Sequence, residues 1–495
     1  MKKLILLFSV FVFSMSIFAY TPSPVNFHKY SLKHKRSTLP TRYDSRDLGI
    51  IFPARDQGQT GTCWAFTACE AIRTLYHKNN IECKQLAPIV YVNCAKELGF
   101  TKVNLKEGGN EDIVAAMNAR LLTPVYQENV PEITNWDNEC PSYEYSHIHG
   151  YVMGTNQLPE DDHIAIKEAI MKYGSLFSSM MYEKEYFNEI TNFYEYIGKK
   201  TPNHAVNIIG WDDSKGAWIV KNSWGTSFGE NGIFYVSYND CLISKKPVAF
   251  DQFVDKSDID NVYGYSNTGP TNSFGFDPNT PTSVMIAYDI EENESIEYIS
   301  TFIINPYTKL NILVRANDDN NTILYNSNEF VVENVGMYLH KLKTPVVSSG
   351  DSLLVEICYT SEYSCSIPTE RQEERNNITL HNNQWYFNGV EWVPVGEEGV
   401  GDIHKFNIVV YVYTKGTVTD IEETDSNKQG SLLIGGEIDP NVWDYAIRAN
   451  IFDISGRNFG TIKSGDKMPD LNPGYYVLVL DKEDGGFVVE KFNVF

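Results

Sequence analysis

The sequence predicts an α+β protein of several domains, and three features of its patterning carry that reading. Helical spacing follows Cys63, where Ala65, Cys69, Ile72 and Tyr76 fall on one stripe that faces a core. A second amphipathic helix is written over residues 161–173, and from Ser175 the chain becomes β-rich. Beyond Asp251 come strand-like runs at 298–304, 309–316, 353–360 and 406–414, spaced as in a β-sandwich.

The chain has 495 residues, too many for one core, so two to four domains are expected. At 42% hydrophobic, 13% aromatic and 21% charged residues it is globular and can bury sizeable cores. A net charge of -23 argues against a nucleic-acid partner and for a soluble, exported surface. Met1-Lys2-Lys3 and the apolar residues 4–19 read as a signal peptide ending at Ala19. That run is too short to span a bilayer comfortably and is interrupted by Ser9, Ser14 and Ser16. Residues 20–38, with Lys29, Lys33, Lys35 and Arg36, form a short basic linker or a minimal pro-segment, with Lys35-Arg36 as a processing site.

The stretch Gln57-Gly58-Gln59-Thr60-Gly61-Thr62-Cys63-Trp64-Ala65-Phe66 reads as a loop turning into a buried helix. Thr60 or Thr62 is placed to cap that helix. A thiol at a helix N-terminus sits in the positive end of the macrodipole, which favours the thiolate. Taken alone, such a cysteine is more often a small buried hydrophobe. Two distant blocks change the reading. One is Asn203-His204-Ala205-Val206, running into the apolar residues 207–211. The other is Trp218-Ile219-Val220-Lys221-Asn222-Ser223-Trp224-Gly225, followed by Gly229-Glu230-Asn231-Gly232. In this order the three blocks resemble the papain-like cysteine peptidases, over residues 39–250.

That resemblance implies a helical lobe and a β-barrel-like lobe with a substrate cleft between them. Cys63 would be the nucleophile and His204 its base, because a thiol needs an imidazole within reach to react at neutral pH. Asn222 would hold the ring in its working tautomer, and Trp224 would shield that bond from water. Gln57 and the backbone N–H of Cys63 would donate to the oxyanion. Gly108-Gly109 resembles the pair bordering the cleft, where bare backbone receives an extended peptide. The implied activity is hydrolysis of protein or peptide substrates through a thioester, with no metal or organic cofactor. An exopeptidase on the same lobes, a surface adhesin with secondary peptidase activity, and a transglutaminase-like transferase are the rivals. The last usually ends its triad in Asp, where this order ends in Asn.

Members of the family usually carry a cysteine three residues before the nucleophile. Thr60 stands there, so Cys94, the usual partner, is expected to be free or paired elsewhere. Cys358 and Cys365 are the expected disulfide, with six residues between them around a turn. His147-Ile148-His149 reads as a strand entering the second lobe rather than as a metal site. Residues 39–254 thus form the peptidase domain.

Residues 255–415, with Tyr263-Gly264-Tyr265 near their start, resemble the lectin-like β-domain appended to bacterial members, which implies a glycan or cell-surface ligand. Asn388-Gly389 predicts a type I′ hairpin turn there, and Asp318 and Asp319 read as a solvated turn rather than a Ca²⁺ site. Residues 416–430 are an acidic linker by composition. Residues 431–495, with Asp453-Ile454-Ser455-Gly456-Arg457 and Leu471-Asn472-Pro473-Gly474-Tyr475, resemble the β-sandwich sorting domain of type IX secretion, whose partner is the secretion machinery.

Overall fold

The computed structural model describes residues 20–25, 30, 38–103, 107–130, 140, 150–364, 367–396, 402–416, 433–434, 437–438, 443, 446–453, 458–469, 471, 474–482 and 487–494. The leader, Lys35-Arg36, His147, His149, Cys365 and residues 417–430 lie outside them. The chain divides into two compact units, residues 1–417 and 418–495.

The first unit opens on helices α1 (Cys63–Lys78), α2 (Ile89–Cys94), α3 (Glu111–Ala119) and, later, α4 (His163–Tyr173). Its strands are β1 (Arg42–Asp44), β2 (Gly150–Gln157), β3 (Leu176–Met180), β4 (Phe187–Asn188), β5 (Phe193–Tyr194), β6 (His204–Asp212), β7 (Ala217–Lys221), β8 (Ile233–Ser237) and β9 (Val248–Asp255). They form one sheet in the order β2-β9-β3-β6-β7-β8-β5-β4, with β1 added beside β6. Strands β6 and β7 are buried throughout, which fits their unbroken apolar runs.

Helix α1 is buried on every side from Cys63 to Tyr76, more than the single predicted stripe requires. Thr62 holds its N-cap position, yet no threonine hydroxyl caps the helix. The Thr60 and Thr62 hydroxyls bond each other at 2.7 Å, and Thr60 also donates to the Gln57 carbonyl. Helix α4 is capped as its sequence suggests, by Asp162 Oδ1 accepting from the Ala165 N–H at 3.0 Å.

Full burial of α1 carries two charged residues inside. Glu70 Oε1 meets Lys221 Nζ at 2.6 Å, and its Oε2 meets Arg73 Nη2 at 2.8 Å. The Arg73 guanidinium lies 3.7 Å over the Phe52 ring. Burial alone would push the Glu70 carboxyl up, but Lys221 and Arg73 together hold it below its ordinary value. Burial pulls the Lys221 ammonium down even beside Glu70.

Past β9 two sheets face each other. One orders Asn261–Tyr263, Val410–Gly416, Glu294–Ile303 and Gly336–Val347; the other centres on Thr308–Ala316, Leu353–Thr360 and Thr282–Tyr288. Ile299, Ile303, Val410 and Val412 of the first pack against Val284, Ile312, Val355 and Ile357 of the second. The alternate residues Tyr298, Phe302, Tyr411 and Tyr413 point the other way and join the core built around α1 and β6. Tyr413 donates to the Ala119 carbonyl at the end of α3 (3.0 Å), and Gln252 to the Leu339 carbonyl (2.7 Å). The first sheet therefore belongs to two cores at once.

Two expectations in this region fail. Gln384–Phe387 and Trp392–Val395 do pair as a hairpin, but Phe387 opposes Trp392, so the loop has four residues instead of a two-residue type I′ turn. The Asn388 side chain accepts from the Val390 and Glu391 N–H groups, making an Asx turn, while Gly389 takes the positive φ. Cys358 is a half-buried free thiol, so the bridge to Cys365 is not formed; the disulfide joins Cys94 to Cys140. At Asp318 the carboxylate is occupied by Asn320 and Thr322, as a solvated turn requires.

The second unit orders Asn458–Ile462, Ala446–Asp453, Gly474–Lys482 and Phe487–Val494 in one antiparallel sheet. Ile438, from a two-stranded ladder, joins Ile451, Leu478 and Leu480 in its own core.

Replacing Glu70 by Gln leaves two buried cations without their anion. Urea unfolding of Glu70→Gln should show a loss of about 3–5 kcal/mol; an unchanged midpoint would mean the ion pairs contribute nothing net.

Candidate active site

Cys63 is the first residue of α1, His204 the first of β6, and Asn222 follows β7 directly. Because β6 and β7 are hydrogen-bonded neighbours, His204 and Asn222 arrive side by side. His204 Nε2 lies 2.8 Å from Asn222 Oδ1, and the Ser223 backbone N–H donates to the same oxygen at 2.8 Å. That second donor fixes the amide so that oxygen faces the ring, at the cost of a buried Asn222 Nδ2 without a partner. Nε2 must therefore carry the proton, and Nδ1 is left as the basic nitrogen. Trp224 stacks on the imidazole at 4.5 Å and 24°, and Tyr182 packs edge-on against Trp224 at 4.6 Å. The Ala205 N–H, next to His204, donates to Cys63 Sγ at 3.2 Å, which joins the thiol to the histidine strand.

Gln57 is buried beside this group. Its Oε1 accepts from Ser223 Oγ at 2.6 Å, and its Nε2 donates to the Thr60 carbonyl at 2.6 Å. A primary amide has two hydrogens, and that bond engages one of them. Across the cleft Gly108 takes a positive φ of 77°, and a Cβ at Gly109 would meet the Trp64 ring at 2.5 Å. Only glycine lets the backbone come so close to the residue after Cys63.

The cleft is occupied by the chain's own start. Tyr20 and Thr21 lie across it, with the Tyr20 N–H donating to the Asn203 carbonyl (3.2 Å) and the Thr21 N–H to the Gly109 carbonyl (3.1 Å). Asn110 caps α3 with its Oδ1 and holds the Thr21 carbonyl with its Nδ2 at 2.9 Å. The Tyr20 phenol is buried and donates to Glu111 Oε2 at 3.0 Å. This strap is bonded to Asn203, the neighbour of His204, and to Gly109, which lies against the Trp64 ring.

Cys63 and His204 are both buried. Burial pushes the Cys63 thiol up to about 12 and pulls the His204 imidazole down to about 4, even with Asn222 favouring its charged form. Burial here opposes the thiolate that the helix terminus favours. The macrodipole offers about 1 kcal/mol, too little against a burial penalty of several kcal/mol. Among the described residues no group of three or more His, Cys, Asp or Glu is gathered to hold a metal.

Sequence reasoning missed Tyr20, Ser223 and Glu111. Glu111 alone left a signal, as an acidic residue two places beyond Gly109 at the start of a helix.

The family description "papain family cysteine protease" matches residues 39–250. Over this segment the chain resembles the papain family of cysteine proteases. It is 26% identical over 206 residues to cathepsin K of Mus musculus, covering 41% of this chain and 60% of that protein. A cysteine protease of Blomia tropicalis is 28% identical over 217 residues, covering 42% and 64%. The chain thus spans less than two thirds of these curated relatives.

Among solved structures, clostridial cysteine protease Cwp84 after propeptide cleavage superposes with a TM-score of 0.67 at 18% identity, covering 76% of this chain and 99% of that one. The cysteine protease and lectin-like domains of Cwp84, a surface layer associated protein of Clostridium difficile, give 0.67 at 19% identity, covering 79% and 91%. The likeness is one of fold, and it extends beyond the papain-family domain into the β-sandwich.

With the thiol at about 12, its ionised fraction grows tenfold per pH unit below that value. Iodoacetamide labelling of Cys63, followed by peptide mass mapping, should climb steeply from pH 6 to 9. A flat profile from pH 5 upward would show an ion pair already formed beneath the strap.

Proposed function

We propose that the chain is an exported cysteine endopeptidase, and that residues 20–21 must leave the cleft before it works. The carrying observation is the His204–Asn222–Ser223 arrangement, which leaves Nδ1 as the basic nitrogen of a ring adjoining Cys63. Once water and substrate replace the strap, the burial penalty on both groups falls and the thiol proton passes to Nδ1. The thiolate attacks the scissile carbonyl, and charge on its oxygen is met by the Cys63 N–H and the second amide hydrogen of Gln57. Collapse expels the amine, which takes the proton from His204, and leaves a thioester. Water, deprotonated by the same Nδ1, then attacks the thioester; the acid leaves and the thiol is restored. Asn222 keeps the ring oriented throughout, and Gly108 and Gly109 receive the substrate backbone.

Export is supported by the charged and apolar leader, 1–19, and by the acidic surface. Residues 255–415 are read as a lectin-like module for a glycan or surface ligand, on their fold likeness to the lectin-like domain of Cwp84. Residues 431–495 are read as the sorting address, and their separate core supports a detachable role.

Cys63→Ala should fold normally and lose at least about 10³-fold in peptide hydrolysis. Iodoacetamide should silence the native enzyme, and a chelator should leave it active. Hydrolysis at the native rate by Cys63→Ala would end this reading. Removing residues 418–495 should yield a folded, active chain retained in the producing cell; undiminished export would end the sorting role.

A further inference from the structure

We propose that the pocket filled by Tyr20 selects tyrosine in substrates, with Glu111 as the residue that recognises the phenol. This rests on the hydrolytic reading above and names the side chain that the same cleft takes. The backbone groups that hold the strap, the Gly109 and Asn203 carbonyls, are blind to side chains and can serve any extended peptide. Discrimination must come from the pocket beside them. Its wall is apolar where Phe177 meets the Tyr20 ring, with centroids 6.4 Å apart. Its floor is charged. Glu111 Oε1 pairs with Lys246 Nζ at 2.8 Å, and Asp112 Oδ2 lies 3.7 Å from the same ammonium.

Lys246 thereby commits one oxygen of Glu111 and turns the other toward the phenol. The carboxylate is buried, so an occupant without a donor leaves Oε2 desolvated with nothing in exchange. Phenylalanine fills the same volume and lacks the hydroxyl. A pocket built to bond a hydroxyl rejects the analogue without it far more strongly than an apolar pocket separates two sizes. An acidic side chain would meet Glu111 with like charge.

The test uses the activated enzyme, in which residues 20–21 have left the cleft, so the pocket is empty and the reacting groups are untouched. Matched peptides with Tyr or Phe at each position before the scissile bond are compared by kcat/KM. Tyrosine should be favoured about tenfold or more at one position, the range expected for a hydrogen bond to a buried charge. Adding Glu111→Leu should bring that ratio near one while cleavage of the Phe peptides persists. Glu111→Gln, which keeps an acceptor oxygen, should retain part of it and stands in if the leucine variant does not fold. Equal rates for Tyr and Phe peptides at every position, with hydrolysis intact, would overturn the assignment and leave the peptidase reading standing. A folded chain that cleaves neither set would remove both.

Discussion

The buried contact between Glu70 and Lys221 is the joint on which the site depends. Glu70 sits two turns along the helix that begins at Cys63, and Lys221 is the residue before Asn222. One ion pair therefore ties the element carrying the sulfur to the strand carrying the group that orients the imidazole. Low local polarity makes such a pair costly to assemble and costlier to break. Ser223 extends the same joint, with its N–H on Asn222 and its hydroxyl on Gln57. Sulfur, ring, amide and the Gln57 loop are thus linked through one buried network, and each member limits the freedom of the next.

Parts of this arrangement were legible in the sequence because the chemistry restricts residue type. A thiol before an apolar helix, a histidine opening an apolar strand and an asparagine ending another have few alternatives. Burial of α1 on every side, beyond the one stripe, was not legible. Glu70 and Arg73 look like a solvated face until Lys221, far along the chain, supplies the compensating charge. Thr62 occupies the cap position, but its hydroxyl is taken by Thr60, a competition that spacing does not reveal. Asn388 marked the hairpin but not its turn type, for a related reason, since its side chain bonds its own loop. Tyr20 could not be read at all: an extended segment held through backbone carbonyls imposes no pattern on sequence.

The ionisation state follows from the same geometry. Burial disfavours the charged form of a thiol and of an imidazole alike, because transfer of the proton between them creates two charges at once.

The sheet built from Glu294–Ile303 and Val410–Gly416 gives the molecule a further property. Its tyrosines and Phe302 complete the interior of the catalytic half, and its isoleucines and valines complete the interior of the β-sandwich. Neither half closes its core without that shared layer. Trimming the gene after β9 would bare an aromatic face and cut the Tyr413 bond to the far end of the helix that begins with Glu111. The helical front is consequently not a portable cassette: recombination could exchange the tail, but the front two modules have to be inherited together.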